Sequence, residues 1–195
     1  MAGLDDLPFR TEVEIALLLV SPRHRYEGRP ADGALPPRST DPDERRDRIE
    51  LRAGLGIVGD RYFAARAHVH ASVTVIGLEG LEAVGQAIGT TVDPVATRRN
   101  VFLRGADVEA LRGQPFSLES LLPGGDGDGS GDLGRAVRFR GYRAANPCAW
   151  MDHEVAPGAF RAMRGRGGVR CDPESDGVLA LGPAVLRTAR PVPLG

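Results

Sequence analysis

The chain has 195 residues, 42% of them apolar and 26% charged, which suits one globular domain large enough to bury a core. All 25 of its Lys+Arg residues are arginine, so pyridoxal phosphate cannot be held as an internal aldimine. A Walker-type phosphate loop and serine–lysine acylation chemistry fall for the same reason.

Formal net charge is −1, yet residues 135–170 carry eight arginines against two acids. That local excess suits a small anionic ligand, and 5% aromatic content argues against nucleic acid. Solvated strand faces are the other reading of these arginines. Met1–Arg10 is acidic and lacks a signal-peptide apolar centre, and Ile15–Val20 is far too short to span a bilayer. Cys148 and Cys171 are too few for a disulfide scaffold, so a reduced, cytoplasmic protein without a membrane partner is expected.

In chain order, Val13–Val20 passes from alternation to a continuous apolar run and predicts a core strand. Residues 21–48 hold five prolines and many charges, which predicts a surface excursion. Arg52–Phe63 has three glycines within six residues and reads as an irregular turn. Ser72–Ile76 reads as a strand, and Leu78, Leu81, Val84 and Ile88 then share one helical face. Val101–Arg104 and Gln114–Leu118 predict short strands around a brief helix at Asp107–Leu111.

An acidic, glycine-rich loop follows at 124–132, then an alternating strand at Ala136–Ala144. Cys148–Arg164 predicts one or two short helices interrupted near Pro157-Gly158. The tail reads as a hairpin, with Val178–Leu181 turning through Gly182-Pro183 into Ala184–Thr188. Short strands, frequent turns and few helices point to a mainly β fold: one domain over 10–190, a closed β-barrel with short peripheral helices.

Several segments invite a chemical reading. Asp126–Asp132 imitates the first half of a calcium loop, but its twelfth position is Val137, where a bidentate glutamate is needed. On a strand, His68 and His70 would face the same way, but two imidazoles without a third ligand make no metal site. Cys148 and His153 are badly spaced for a nucleophile pair. Cys148 itself follows Asn146-Pro147 at the expected start of a helix, where the helix terminus and neighbouring arginines favour thiolate, the form that attacks sulfur or binds soft metals. A packed, inert thiol is the alternative, and it is the preferred reading for Cys171. Gly165-Arg166-Gly167-Gly168 and Arg98-Arg99-Asn100 are each either anion-binding segments or ordinary turns.

Taken in order, Gly56–Arg61 (GIVGDR), Ser72–Ala83, Arg98-Arg99-Asn100, Gly113–Phe116, Asn146-Pro147-Cys148, Gly165–Val169 and Gly177–Val185 resemble the MOSC domain, named for the C-terminal domain of molybdenum-cofactor sulfurases. The resemblance covers most of residues 10–190. It implies a barrel related to the pyruvate kinase β-barrel domain, with Cys148 carrying sulfur as a persulfide or acting as molybdenum ligand. It further implies that Arg98, Arg99 and Asn100, with Arg166, Gly167 and Gly168, hold molybdenum cofactor. Related proteins reduce N-hydroxylated compounds. The implied partners are a pyridoxal-phosphate-dependent cysteine desulfurase as sulfur donor, or an electron-donor reductase. The competing reading is a non-catalytic barrel that binds a small anion or another protein.

Overall fold

A computed structural model of the chain describes residues 6–36, 38, 40, 42–121 and 136–195. The loop at 124–132, with its calcium-like pattern, lies outside the described residues. The molecule is mainly β, and its central feature is a closed seven-stranded barrel.

Alternation builds the barrel. Its strands are β1 (Phe9–Leu18), β4 (Val73–Gly77), β5 (Val101–Arg104), β6 (Pro115–Ser120), β7 (Val137–Ala144), β8 (Val169–Pro173) and β10 (Gly182–Thr188). Around the barrel they run β1-β10-β6-β7-β8-β4-β5, and β5 closes back onto β1. Pairs two residues apart point inward together: Val13 and Ile15, Val73 and Val75, Val101 and Leu103, Phe116 and Leu118, Val137 and Phe139, Val169 and Cys171. Phe116 and Phe139 are register partners, and their rings stack at 5.1 Å. Burying each such side chain contributes roughly 1.5–3 kcal/mol.

A second sheet, β3-β2-β9, is formed by β2 (Arg48–Arg52), β3 (Gly56–Ile57) and β9 (Gly177–Ala180). Its Ile49, Leu51, Ile57 and Leu179 join the barrel core. The tail is therefore not a hairpin. β9 pairs with β2, whereas β10 enters the barrel between β1 and β6. The turn at Gly182 carries the chain from one sheet to the other. The expected pairing across the acidic loop does occur, with Pro115 to Leu118 of β6 opposite Arg140 to Val137 of β7.

Outside the barrel, Ile76, Phe102 and Leu19 are covered by helices. Here α1 (Leu78–Ile88) buries Leu81 and Val84 and provides the crossover that parallel β4 and β5 require. Two short helices, α2 (Trp150–Glu154) and α3 (Ala159–Ala162), add Trp150, Met151 and Ala159 to the same layer. They fall either side of Pro157-Gly158, as the sequence predicted.

The excursion at 21–48 is fastened rather than loose. Val20 N–H donates to the Glu44 carbonyl and Arg46 N–H to the Leu18 carbonyl. Tyr26 stacks on Trp150 at 5.2 Å and its hydroxyl donates to the Ala96 carbonyl. Its polar composition hid this anchoring, which rests on one aromatic ring, a few backbone groups and an ion pair between Glu44 and Arg98.

Candidate functional site

One end of the outer face, beside β4 and β8, gathers the residues with chemistry to offer. It is built on a buried polar knot. Asp60, 5% exposed, accepts from Ser21 N–H, Tyr62 N–H and the Asn100 amide. Asn100 also donates to the Leu19 carbonyl and accepts from Thr74 N–H. Every group in the knot is partnered, so its role is to fix the loop after β3 against the barrel.

That loop delivers Arg61 and Tyr62. The Arg61 guanidinium lies 4.4 Å over the Tyr62 ring. Its side chain is 9% exposed, 3.6 Å from the Asp60 carboxylate, and its Nη2 donates to the Arg98 carbonyl. The buried Nη1 has no hydrogen-bond acceptor.

Arg99 occupies the centre. Its Nε donates to the Gly167 carbonyl, Nη1 to Thr97 and Nη2 to Ala145, each at 3.0 Å. Loss of water around the guanidinium, with Arg170 and Arg61 nearby, lowers its pKa to about 10, while Cys148 opposes that shift. Cys148 is exposed and so open to a reactant. Arg170 on β8 faces Arg143 on β7 in register, and among the described residues neither has an ion pair. Arg170, Arg61 and the exposed Cys148 thus all lie close enough to act on the charge of Arg99.

Histidines complete the rim. His24 meets Tyr62 edge-on at 5.1 Å, and His68 packs against Tyr62 at 4.1 Å. Burial lowers the pKa of both, helped by Arg61 at His24 and by Arg170 at His68. The expected strand at 68–70 is absent. Arg66–His68 is a 3-10 turn, and His70 adopts φ 67 and packs on Tyr142 instead. No group of three or more metal-ligating side chains occurs among the described residues.

The other predicted site residues have structural duties. Arg98, left-handed at φ 55 and 6% exposed, pairs with Glu44 at 3.1 Å, donates to the Arg23 carbonyl and covers Tyr26. Its donors are turned to the 21–48 excursion. Gly167 and Gly168 form no open nest: a side chain on them would strike the Ala145 and Val75 carbonyls at 2.2 Å, and Gly168 N–H donates to Glu109. Arg166 lines a different cleft, beside Glu79 and Glu109. Cys171 lies inside the barrel, where burial pushes its thiol pKa well up.

Helix α2 starts at Trp150 rather than Cys148, whose carbonyl accepts Met151 N–H in the preceding turn. Of the eight arginines in the basic segment, Arg138 and Arg140 are spent on Glu174 and, for Arg138, Asp6. Arg61 closes the GIVGDR segment and Tyr62 follows it, and the sequence pattern alone assigns neither a role. The aspartate before Arg61 was the available signal, because a carboxylate amid glycines stays put only if something binds it.

No family model and no curated protein matches the chain. Solved structures do. The YuaD protein of Bacillus subtilis is similar over 94% of this chain and 99% of its own, at 16% identity and a TM-score of 0.64. A protein described only as hypothetical is similar over 97% of this chain and 72% of its own, at 13% identity and a TM-score of 0.55. These likenesses establish the fold.

Proposed function

We propose that the chain is a MOSC-type protein that binds molybdenum cofactor or carries sulfur as a persulfide, with Cys148 as its working thiol. The observation that carries the reading is the half-buried Arg99 guanidinium, forked over the Thr97, Ala145 and Gly167 carbonyls within reach of the charges of Arg170, Arg61 and Cys148. Clustered cations are stabilised by an anion in their midst; Asp60 lies 3.6 Å from Arg61 Nη1, whereas Arg170 has no ion pair among the described residues. A cofactor phosphate fits that requirement, and so does a thiolate.

Arg170 and Arg143, which have no ion pair among the described residues, would hold a phosphate, while Arg99 sets the local field and keeps its own donors on the backbone. Cys148 would supply one sulfur to the metal. When bound, the cofactor supplies two-electron redox chemistry, including reduction of N-hydroxylated compounds. In the relay version, the Cys148 thiolate attacks the outer sulfur of a persulfide on a donor such as a cysteine desulfurase. A new S–S bond forms on Cys148, the donor S–S bond breaks, and the donor thiolate leaves. The arginines stabilise the attacking anion, and Cys148's exposure gives the donor access.

The test is intact mass and elemental analysis of protein made in a host that synthesises the cofactor. Molybdenum near one equivalent, or a gain of one sulfur atom at Cys148, supports the reading when Cys148→Ser abolishes it. Neither signal in wild type would leave the small-anion binding module as the better account.

A further inference from the structure

The loop carrying Arg61 and Tyr62 also walls a second recess. Tyr62 and His68 line a cleft of about 250 Å³ whose other walls include Leu55, Val69 and Arg66 and whose floor is Ser72 and Asp172. A cavity of roughly 150 Å³ holds a benzene ring, so this one has room for a ring and its substituents.

The lining is graded in a way that selects an orientation. At the mouth, Leu55 and Val69 are 42% and 60% exposed, large apolar groups left in water around one opening. Inside, the Tyr62 and His68 rings give an aromatic wall. Burial, with Arg170 and Arg61 nearby, holds the His68 pKa below its ordinary value, which favours the neutral imidazole.

The floor is acceptor-rich. The Asp172 side chain is 11% exposed, with Oδ1 accepting from Ser72 N–H and Oγ–H and Oδ2 from His70 N–H. An anion is repelled there and an N–H or O–H donor is welcome. At the rim Arg66 is exposed and has no ion pair among the described residues. The backbone around the cleft is also held in an unusual state. Two of the three non-glycine residues with positive φ among the described residues, Ala64 and His70, bracket the stretch 65–69 that carries Arg66, His68 and Val69. Such strain collects where a binding surface has to be shaped.

We propose that this cleft binds a small aromatic molecule with an anionic substituent at one end, paired with Arg66, and an N–H or O–H donor at the other, bound to Asp172. The ring lies against Tyr62 and His68. Because Tyr62 also lies under Arg61, the cleft adjoins the arginine cluster. Binding in this cleft does not depend on the function proposed above.

Calorimetric titration of the full chain with 4-aminobenzoate tests this. Saturable one-to-one binding is expected, with benzoate and aniline each about tenfold weaker because each lacks one polar contact. Arg66→Gln should weaken 4-aminobenzoate about tenfold and leave aniline unchanged, and Val69→Trp should fill the mouth and abolish binding. Cys148→Ser should bind normally, which separates this result from the outcome at the thiol. No saturable binding at millimolar ligand, or affinity untouched by both Arg66→Gln and Val69→Trp, overturns the proposal.

Discussion

The Asn100 amide nitrogen donates to Asp60 across 3.1 Å and to the Leu19 carbonyl across 3.2 Å, tying the loop after β3 to the barrel through one side chain. The pair is buried and fully partnered, so its loss exposes several polar groups to an interior that cannot satisfy them. Asn100→Ala should lower unfolding free energy by about 3 kcal/mol, read from urea denaturation. Asn100→Asp sets two carboxylates against each other, so its deficit should be largest at neutral pH and shrink on acidification.

Arg99 should prove irreplaceable for geometric reasons. Its fork reaches carbonyls on three separate segments, at Thr97, Ala145 and Gly167. A lysine ammonium is a compact donor that cannot span them. Arg99→Lys is therefore expected to cost about 1–3 kcal/mol of stability and to reduce any phosphate or cofactor binding. Arg170→Gln should lose binding while keeping its melting temperature, because Arg170 has no ion pair to lose among the described residues. Thermal melting alongside phosphate titration distinguishes the two.

Iodoacetamide should label Cys148 and spare Cys171 in the folded protein. Cys148 is exposed, while Cys171 is enclosed in the barrel with its thiol pKa raised by burial. Peptide mapping after timed alkylation checks this. Cys171 should become reactive only at denaturant concentrations that unfold the barrel.

Acid should weaken the fold through His24 and His68. Both have pKa values lowered by burial in the folded state, so the unfolded chain takes up their protons first. Their contribution is complete above the unfolded value near 6.5 and declines as pH falls below it toward the lower folded values. Partial exposure keeps the effect small. Urea midpoints at pH 7.5 and 5.5 should differ less in the His24→Gln, His68→Gln double variant. Glu109, raised by burial, works the other way, losing its stabilising contribution as pH rises through its folded value.

Tyr26 should behave as a fastener for the proline-rich excursion. Tyr26→Phe keeps the stack on Trp150 and loses the bond to Ala96, costing about 1 kcal/mol. Tyr26→Ala loses both and should cost about 3 kcal/mol or more. Limited proteolysis within 21–48 should accelerate in the alanine variant alone.

The barrel was legible because its signal is local. Val13/Ile15, Val137/Phe139 and Val169/Cys171 announce inward faces by alternation. The tail hairpin misled for the opposite reason: Val178–Leu181 and Ala184–Thr188 fit a hairpin locally, and only distant β2 and β1 draw them apart. At the site, Cys148 could be picked from its neighbours. The division of labour between Arg98 and Arg99 could not, because Glu44 and Ala145, the groups that claim their donors, lie about 50 residues away. Net charge over residues 135–170 likewise does not reveal that Arg138 and Arg140 pair with Glu174, because it ignores which side of a strand each arginine occupies.

The position of β10 has a consequence for biogenesis. It lies between β1 and β6, so while the ribosome is still making residues 182–188 both earlier strands have an open edge. The nascent chain can form β1–β5 and β4–β5 pairs early, but the barrel cannot close until almost all of it has emerged. Folding should therefore be slow for a chain of this size and dependent on a late, long-range pairing. A stalled or truncated product ending before Gly182 would expose the edges of β1 and β6, and in the cell it would be a substrate for chaperones or proteases.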